Sequence, residues 1–267
     1  MIRIGRCLAC LLIAAGMMIS GAWSAQAQTE VDLALVLAVD VSLSMEPDEQ
    51  DLQRQGFIEA FRSPEVHDAI RKGMLGRIAV VYVEWAGAAY QEVIVPWTVV
   101  EQPEDALGFA ARLAQSPTHR IGYTSISGAI DFSLWKLRTS GFQAARRVID
   151  ISGDGANNQG RMVTLARDEA LAQGITINGL PIMLKRLDSL WDIDNLDLYF
   201  RDCVIAGPGA FLVPVREKTQ FVEAIRAKII REITDQSPPH SLVQPAQAAS
   251  PTDCLAGERR AHQPTGR

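Results

Sequence analysis

The sequence is poor in the residues on which many chemistries depend. It holds four histidines and four cysteines in 267 residues, with no CxxC pair beyond the first 27 residues and no zinc-site spacing. It has no G-x-S-x-G elbow, so the usual strand–turn–helix setting of a hydrolase serine is missing. His67 and His119 stand alone, while His240 and His262 fall in the last thirty residues. None is placed as a general base. Lys and Arg total 26 against 31 Asp and Glu, a formal net charge of −5. With no basic stripe, nucleic acid is excluded as the expected partner. Beyond the first 27 residues no apolar run reaches the ~18 residues of a membrane-spanning helix.

What is there begins with a leader. Arg3 and Arg6 form a positive start, Cys7 to Ile19 an apolar stretch, and Ala25-Gln26-Ala27 a small-x-small cleavage site. This is the pattern of a bacterial Sec-type signal peptide over 1–27, which predicts a periplasmic or secreted protein. Its removal takes away two arginines and no acids, so the charge becomes −5 − 2 = −7. Cys203 and Cys254 then remain. An oxidising compartment permits them to pair, but Cys254 falls in a stretch that reads as tail, and the pairing stays open. Residues 236–267 carry Pro238, Pro239, Pro245, Pro251 and Pro264 among Ser, Ala and Gln. Such a composition predicts a disordered tail. Residues 28–235 are left as one domain, large enough to bury a core without staples.

Within that domain apolar periodicity alternates between strand and helix. Leu33 to Ser44 opens with a continuous Val/Leu-rich run, as in a strand covered on both faces. Pro47-Asp48-Glu49 starts a helix, with Leu52, Phe57, Ile58 and Phe61 on its apolar side. Residues 77–85 and 91–97 read as two strands joined closely enough for an antiparallel hairpin, the second with Pro96 at an edge. A helix follows over 103–114. Another opens at Thr124-Ser125-Ile126-Ser127, with Ile126, Ile130, Leu134 and Leu137 at helical spacing. Further strands are expected at 147–152, 175–182 and 211–215. Helices are expected after Asn158 and over Phe221–Ile233. The pattern predicts an α/β fold: a doubly wound, mostly parallel six-stranded sheet with one antiparallel edge strand and helices on both faces. Ligands of such sheets bind beyond the carboxyl ends of the strands, where strand order reverses.

Three polar loops follow apolar segments in this arrangement. The first is Asp40-Val41-Ser42-Leu43-Ser44, whose oxygen-bearing side chains come at every second residue and share a side if the chain stays extended. The second is Gly122-Tyr123-Thr124, and the third Gly153-Asp154-Gly155. Each has an ordinary reading, since Ser, Thr and Asp cap helices and shape turns. Each also has a chemical one, because oxygen donors gathered at a strand end suit a hard cation.

Taken together, these residues resemble the metal-ion-dependent adhesion site of von Willebrand factor type A domains, a D-x-S-x-S followed by a Thr and an Asp from two later loops. Asp40, Ser42 and Ser44 match the first element, Thr124 the second and Asp154 the third, over a resemblance spanning about Val31 to Ile233. The chain looks similar to a bacterial group of secreted type A-like proteins of unknown function. The resemblance implies a Rossmann-like fold of this type. Ser42, Ser44 and Thr124 would be direct cation ligands, Asp40 and Asp154 would supply charge, and a carboxylate from a protein partner would complete the coordination. Few protein ligands and room for water favour Mg2+ over Ca2+, with Mn2+ able to substitute.

Two alternatives belong to other classes. A Mg2+-dependent phosphatase also places an Asp after a buried strand, but normally carries a second acid two residues on, where this chain has Ser42. Catalysis is not expected. A metal-free assembly domain of the same fold is the other. The run Asp188, Asp192, Asp194, Asp197 and Asp202 reads as a solvated face, with a second cation site as the alternative. Trp191, Tyr199 and Phe200 either pack the loop down or offer a contact surface, packing being the favoured role.

Overall fold

The computed structural model describes residues 28–184, 193–235 and 252–261. The leader, Asp188, Trp191, Asp192, and residues 236–251 and 262–267 lie outside the described residues.

The sheet is built around the first strand. β1 (Thr29–Asp40) lies between β2 (Ile78–Trp85) and β4 (Phe142–Gly153), parallel to both. Antiparallel β3 (Gln91–Val100) closes one edge and β5 (Thr176–Pro181) the other, giving the order β3-β2-β1-β4-β5. Because side chains alternate along a strand, β1 feeds two cores. Leu33, Leu35, Leu37 and Val39 enter one, where α1 (Pro47–Arg62), α2 (Pro64–Arg71), α3 (Pro103–Gln115) and α7 (Phe221–Thr234) supply Phe57, Phe61, Val66, Phe109, Ile225 and Ile229. Ala34, Val36 and Ala38 enter the other, under α4 (Ile126–Arg138) and α5 (Val163–Ala172). The short α6 (Leu196–Tyr199) and a π-helical turn over Phe200–Val204 extend that second face. Burying a Leu or Val of this kind contributes about 1.5–3 kcal/mol, so β1 is the best-anchored element of the chain.

Pro96 sits on the edge strand beside the register irregularity between Val80 and Val83, where a missing N–H is tolerated. The helix α2 has no counterpart in the sequence reading. Its start signal is nonetheless local: the Ser63 hydroxyl accepts from the Val66 N–H at 3.3 Å, and Pro64 occupies the first turn.

Two expectations are corrected. The sheet has five strands, not six. Residues 211–215 run beside β5 and form only isolated bridges, Gly179 with Leu212 and Ile182 with Val215. Pro181, whose carbonyl accepts from the Val215 N–H, has no N–H to return to this segment, which interrupts the ladder. The tail expectation for 236–267 fails over 252–261. There Cys254 is bonded to Cys203 across 51 residues of sequence, and α8 (Ala256–Ala261) packs against the domain. The covalent link supplies the anchor that composition did not reveal.

Candidate metal site

β1 is the point where strand order reverses, with β2 to one side and β4 to the other, and Asp40 is its last residue. Backbone bonds then stitch three loops together above it. The Leu43 N–H donates to the Ile121 carbonyl at 2.9 Å and the Ile121 N–H to Val41 at 3.1 Å, joining the first loop to the second. The Asn158 N–H donates to the Thr124 carbonyl at 2.8 Å, and the Thr124 N–H to Asn158 Oδ1 at 2.9 Å, joining the second to the third. Just before Thr124, Tyr123 adopts a left-handed φ of 68° while its side chain is exposed. Thr124 is itself buried.

The side chains meet accordingly. Ser42 donates its N–H to Asp40 Oδ1 at 2.7 Å, its hydroxyl lies 2.8 Å from that of Ser44, and the Ser44 hydroxyl donates to Asp154 Oδ1 at 2.6 Å. Asp40, Ser42 and Thr124 are buried, Asp154 lies at the margin of burial, and Ser44 is half-buried. A Cβ on Gly155 would stand 3.8 Å from Thr124 Oγ1, which puts that threonine beside the third loop. All five predicted residues therefore gather at one place.

The electrostatics are unbalanced. Burial, and then the neighbouring Asp154 carboxylate, push the Asp40 carboxyl up to about 8, against hydrogen bonds from Ser42 and from the Asp154 backbone that favour its charged form. Asp40 Oδ2 is buried without a hydrogen-bond partner among the described residues. Such an oxygen ordinarily costs about 1–3 kcal/mol. A divalent cation would satisfy it and turn the repulsion between two carboxylates, of order 1–4 kcal/mol at such spacing, into attraction. The donors are all oxygen, two carboxylates and three hydroxyls, which is the chemistry of a hard cation. Among the described residues there is no cluster of three or more His, Cys, Asp or Glu suited to a metal. The fit rests on mixed carboxylate and hydroxyl donors.

Several supporting residues carried no role in the sequence reading. Gly153 is one: a Cβ there would stand 2.9 Å from Asp40 Oδ2 and 3.3 Å from the Trp85 ring, so the two strand ends approach only because the residue has no side chain. Gln53 Nε2 donates to the Asp40 carbonyl at 3.2 Å, and Arg120 donates to the carbonyls of Leu43 and Met45 at 3.2 and 2.8 Å. Asn157 and Asn158 clamp the second loop, as the Ser127 N–H donates to Asn157 Oδ1 at 3.0 Å. The Asn-Asn pair after Gly-Asp-Gly was the one visible signal; Gln53 and Arg120 had none, because their targets are distant carbonyls.

Two described members of the acidic run are paired with arginines. Asp197 accepts from Arg216 at 2.7 Å and Asp202 from Arg201 at 2.6 Å, while Tyr199 and Phe200 are buried. His67 and His119 are half-buried, the first 2.7 Å from the Phe61 carbonyl and the second 3.2 Å from Glu84. No described helix is long and apolar enough to cross a membrane.

Comparison with known proteins agrees with this geometry. The family described as "Protein of unknown function (DUF1194)" matches residues 30–237. No curated protein sequence is significantly similar to the chain. Among solved structures, proximal thread matrix protein 1 from the mussel byssus superposes with a TM-score of 0.56 at 12% identity, over 78% of this chain and 49% of that one. A von Willebrand factor type A structure from Catenulispora acidiphila gives 0.54 at 14% identity, over 76% and 43%. A second structure of the mussel protein, with a zinc-occupied metal-ion-dependent adhesion motif, gives 0.52 at 12%, over 76% and 46%. This chain thus spans less than half the length of each of those proteins, and the likeness is one of fold. The chain belongs to the DUF1194 family, and that family member has the fold of a von Willebrand factor type A domain.

Proposed function

We propose that the protein is an extracytoplasmic binding module. A divalent cation held by Asp40, Ser42, Ser44, Thr124 and Asp154 would recognise an acidic residue of a protein partner. The observation that carries this reading is the buried, unpartnered Oδ2 of Asp40 beside a second carboxylate. A site built only to cap a helix would leave neither. The three hydroxyls add neutral donors, so the protein neutralises the cation with two carboxylates and leaves coordination positions to water or to a ligand carboxylate. Mg2+ suits that small set of hard donors, with Mn2+ or Ca2+ as substitutes. The mussel relative's zinc-occupied motif supports a cation at this position in the fold without fixing which one. The leader pattern and the Cys203–Cys254 bond support a compartment outside the cytoplasm. The reading is of a binder and not of an enzyme.

The test is thermal unfolding in EDTA and then in millimolar Mg2+, Mn2+, Ca2+ or Zn2+, with Asp40→Ala in parallel. Stabilisation of the wild type that Asp40→Ala abolishes supports the site. Equal unfolding under all conditions overturns it. Capture of acidic peptides with and without EDTA then tests the carboxylate.

A further inference from the structure

The ten described residues at the C-terminal end return to the third loop of the site. Cys254 is bonded to Cys203, which is buried in the core under α5, and Thr252 donates to the Asp202 carboxylate. α8 then lies directly on Ala156 and Asn157. A Cβ at Gly257 would stand 2.1 Å from the Asn157 carbonyl oxygen and 3.1 Å from the Ala156 Cβ, so the contact exists only with glycine at 257. Beside it, Asn157 Nδ2 donates to Glu258 Oε1 at 2.8 Å.

Asn157 is fully buried, and its remaining bonds all go to the framework of the site. Its Oδ1 takes the Ser127 N–H in the first turn of α4, its N–H donates to the Tyr199 hydroxyl at 3.2 Å, and its Nδ2 also donates to the Arg161 carbonyl at 3.1 Å. The next residue, Asn158, holds Thr124 by the reciprocal bonds described above. Asp154 lies three residues before Asn157. From α8 the path thus runs through Asn157 and then along the backbone of the third loop, forward to the Asn158–Thr124 bonds and back to Asp154.

We infer that the disulfide-tethered C-terminal segment is a brace of the cation site, with Glu258 and Gly257 as positioning residues that fix Asn157 and, through it, the spacing of Asp154 and Thr124. The inference rests on the cation reading above. A helix as short as α8 does not persist by itself in water, so the Cys203–Cys254 bond is what keeps it at the loop. A dithiol reductant opens that bond by supplying two electrons and two protons: the S–S bond becomes two thiols and the dithiol becomes a disulfide. Opening releases the brace and lowers cation affinity. Partners one shell out from metal ligands commonly tune affinity by about 10–100-fold.

The experiment uses the protein purified with its disulfide formed, and the variants Gly257→Ala and Cys254→Ser. Gly257→Ala removes the docking contact while keeping the disulfide and every candidate ligand. Mg2+ and Mn2+ affinities are measured by calorimetry, and hydrogen exchange is followed at the Thr124 and Asn158 amides. The expected result is cation binding weakened about tenfold in both variants, faster exchange at those two amides, and unchanged far-ultraviolet circular dichroism. Wild-type affinity in both variants overturns the inference. If the wild type itself takes up no cation, the reading beneath it falls instead. The exchange measurement then decides the brace: faster exchange in the variants upholds it, and unchanged exchange overturns it.

Discussion

Two pairs of buried acids draw one member each from β4 and the loop just after it, Asp150 and Asp154, only four residues apart, and the two pairs are built differently. Asp150 meets Glu232 of α7 in the interior, and the chain supplies the cation itself. Lys228 Nζ stands 2.6 Å from each carboxylate, and Asn178 donates to Glu232 at 2.6 Å. Burial raises the carboxyls of Asp150 and Glu232, with Lys228 opposing the shift. Burial alone would lower the Lys228 ammonium, but its two acids hold it above its ordinary value. Asp154, just past the strand's end, meets Asp40 with hydroxyls between them, and the Asp40 carboxyl rises to about 8. Where α7 only has to be held to the sheet, the positive charge is covalently part of the fold. At the strand's end, the proposed function assigns that charge to a bound cation. A buried acid pair answered by an internal lysine, as Asp150 and Glu232 are by Lys228, is accounted for by the fold itself.

The largest test of this contrast removes the internal cation. Lys228→Met leaves Asp150 and Glu232 facing each other in the core and should cost about 3–5 kcal/mol in urea unfolding; a loss below about 1 kcal/mol would make the two pairs equivalent. Next is supply of the external one. At a hundred times its dissociation constant, a cation should stabilise the wild type by about 2.7 kcal/mol, a shift of a few degrees in Tm, and Asp40→Ala should lose that gain entirely. Gly153→Ala should cost about 1–3 kcal/mol and blunt the cation response, because its methyl group intrudes on Asp40 Oδ2; an unaltered response would mean the strand ends can part freely. The smallest effect has the opposite sign to the first. Asp40→Asn, measured in EDTA at a pH above the value of about 8 to which Asp40 is pushed, removes a buried charge facing Asp154 while keeping an acceptor for the Ser42 N–H, and should raise Tm by the equivalent of about 1 kcal/mol. A fall in Tm would show that the metal-free site carries no electrostatic strain.

The DUF1194 match and the type A fold place the protein in a known architecture while leaving its ligand to these measurements. Sequence alone determined most of that architecture. Hydrophobic runs and alternation located five strands and the main helices, since period is a local property set by which face must leave water. The spacing of Asp40, Ser42 and Ser44 after a buried strand, with Thr124 and Asp154 in later loops, picked out the five residues that the fold brings together. The sixth strand was misread because Phe211–Val215 has strand composition, whereas its pairing depends on Pro181 in the neighbouring strand. What only the tertiary structure decided was which distant residues answer one another. Lys228 between Asp150 and Glu232, Gly153 under Asp40, Cys254 on Cys203 and α8 on Asn157 are all contacts between segments far apart in the chain, and no local periodicity encodes them. Local pattern reports which residues leave water; charge balance and covalent tethering are properties of pairs that exist only once the chain has closed on itself.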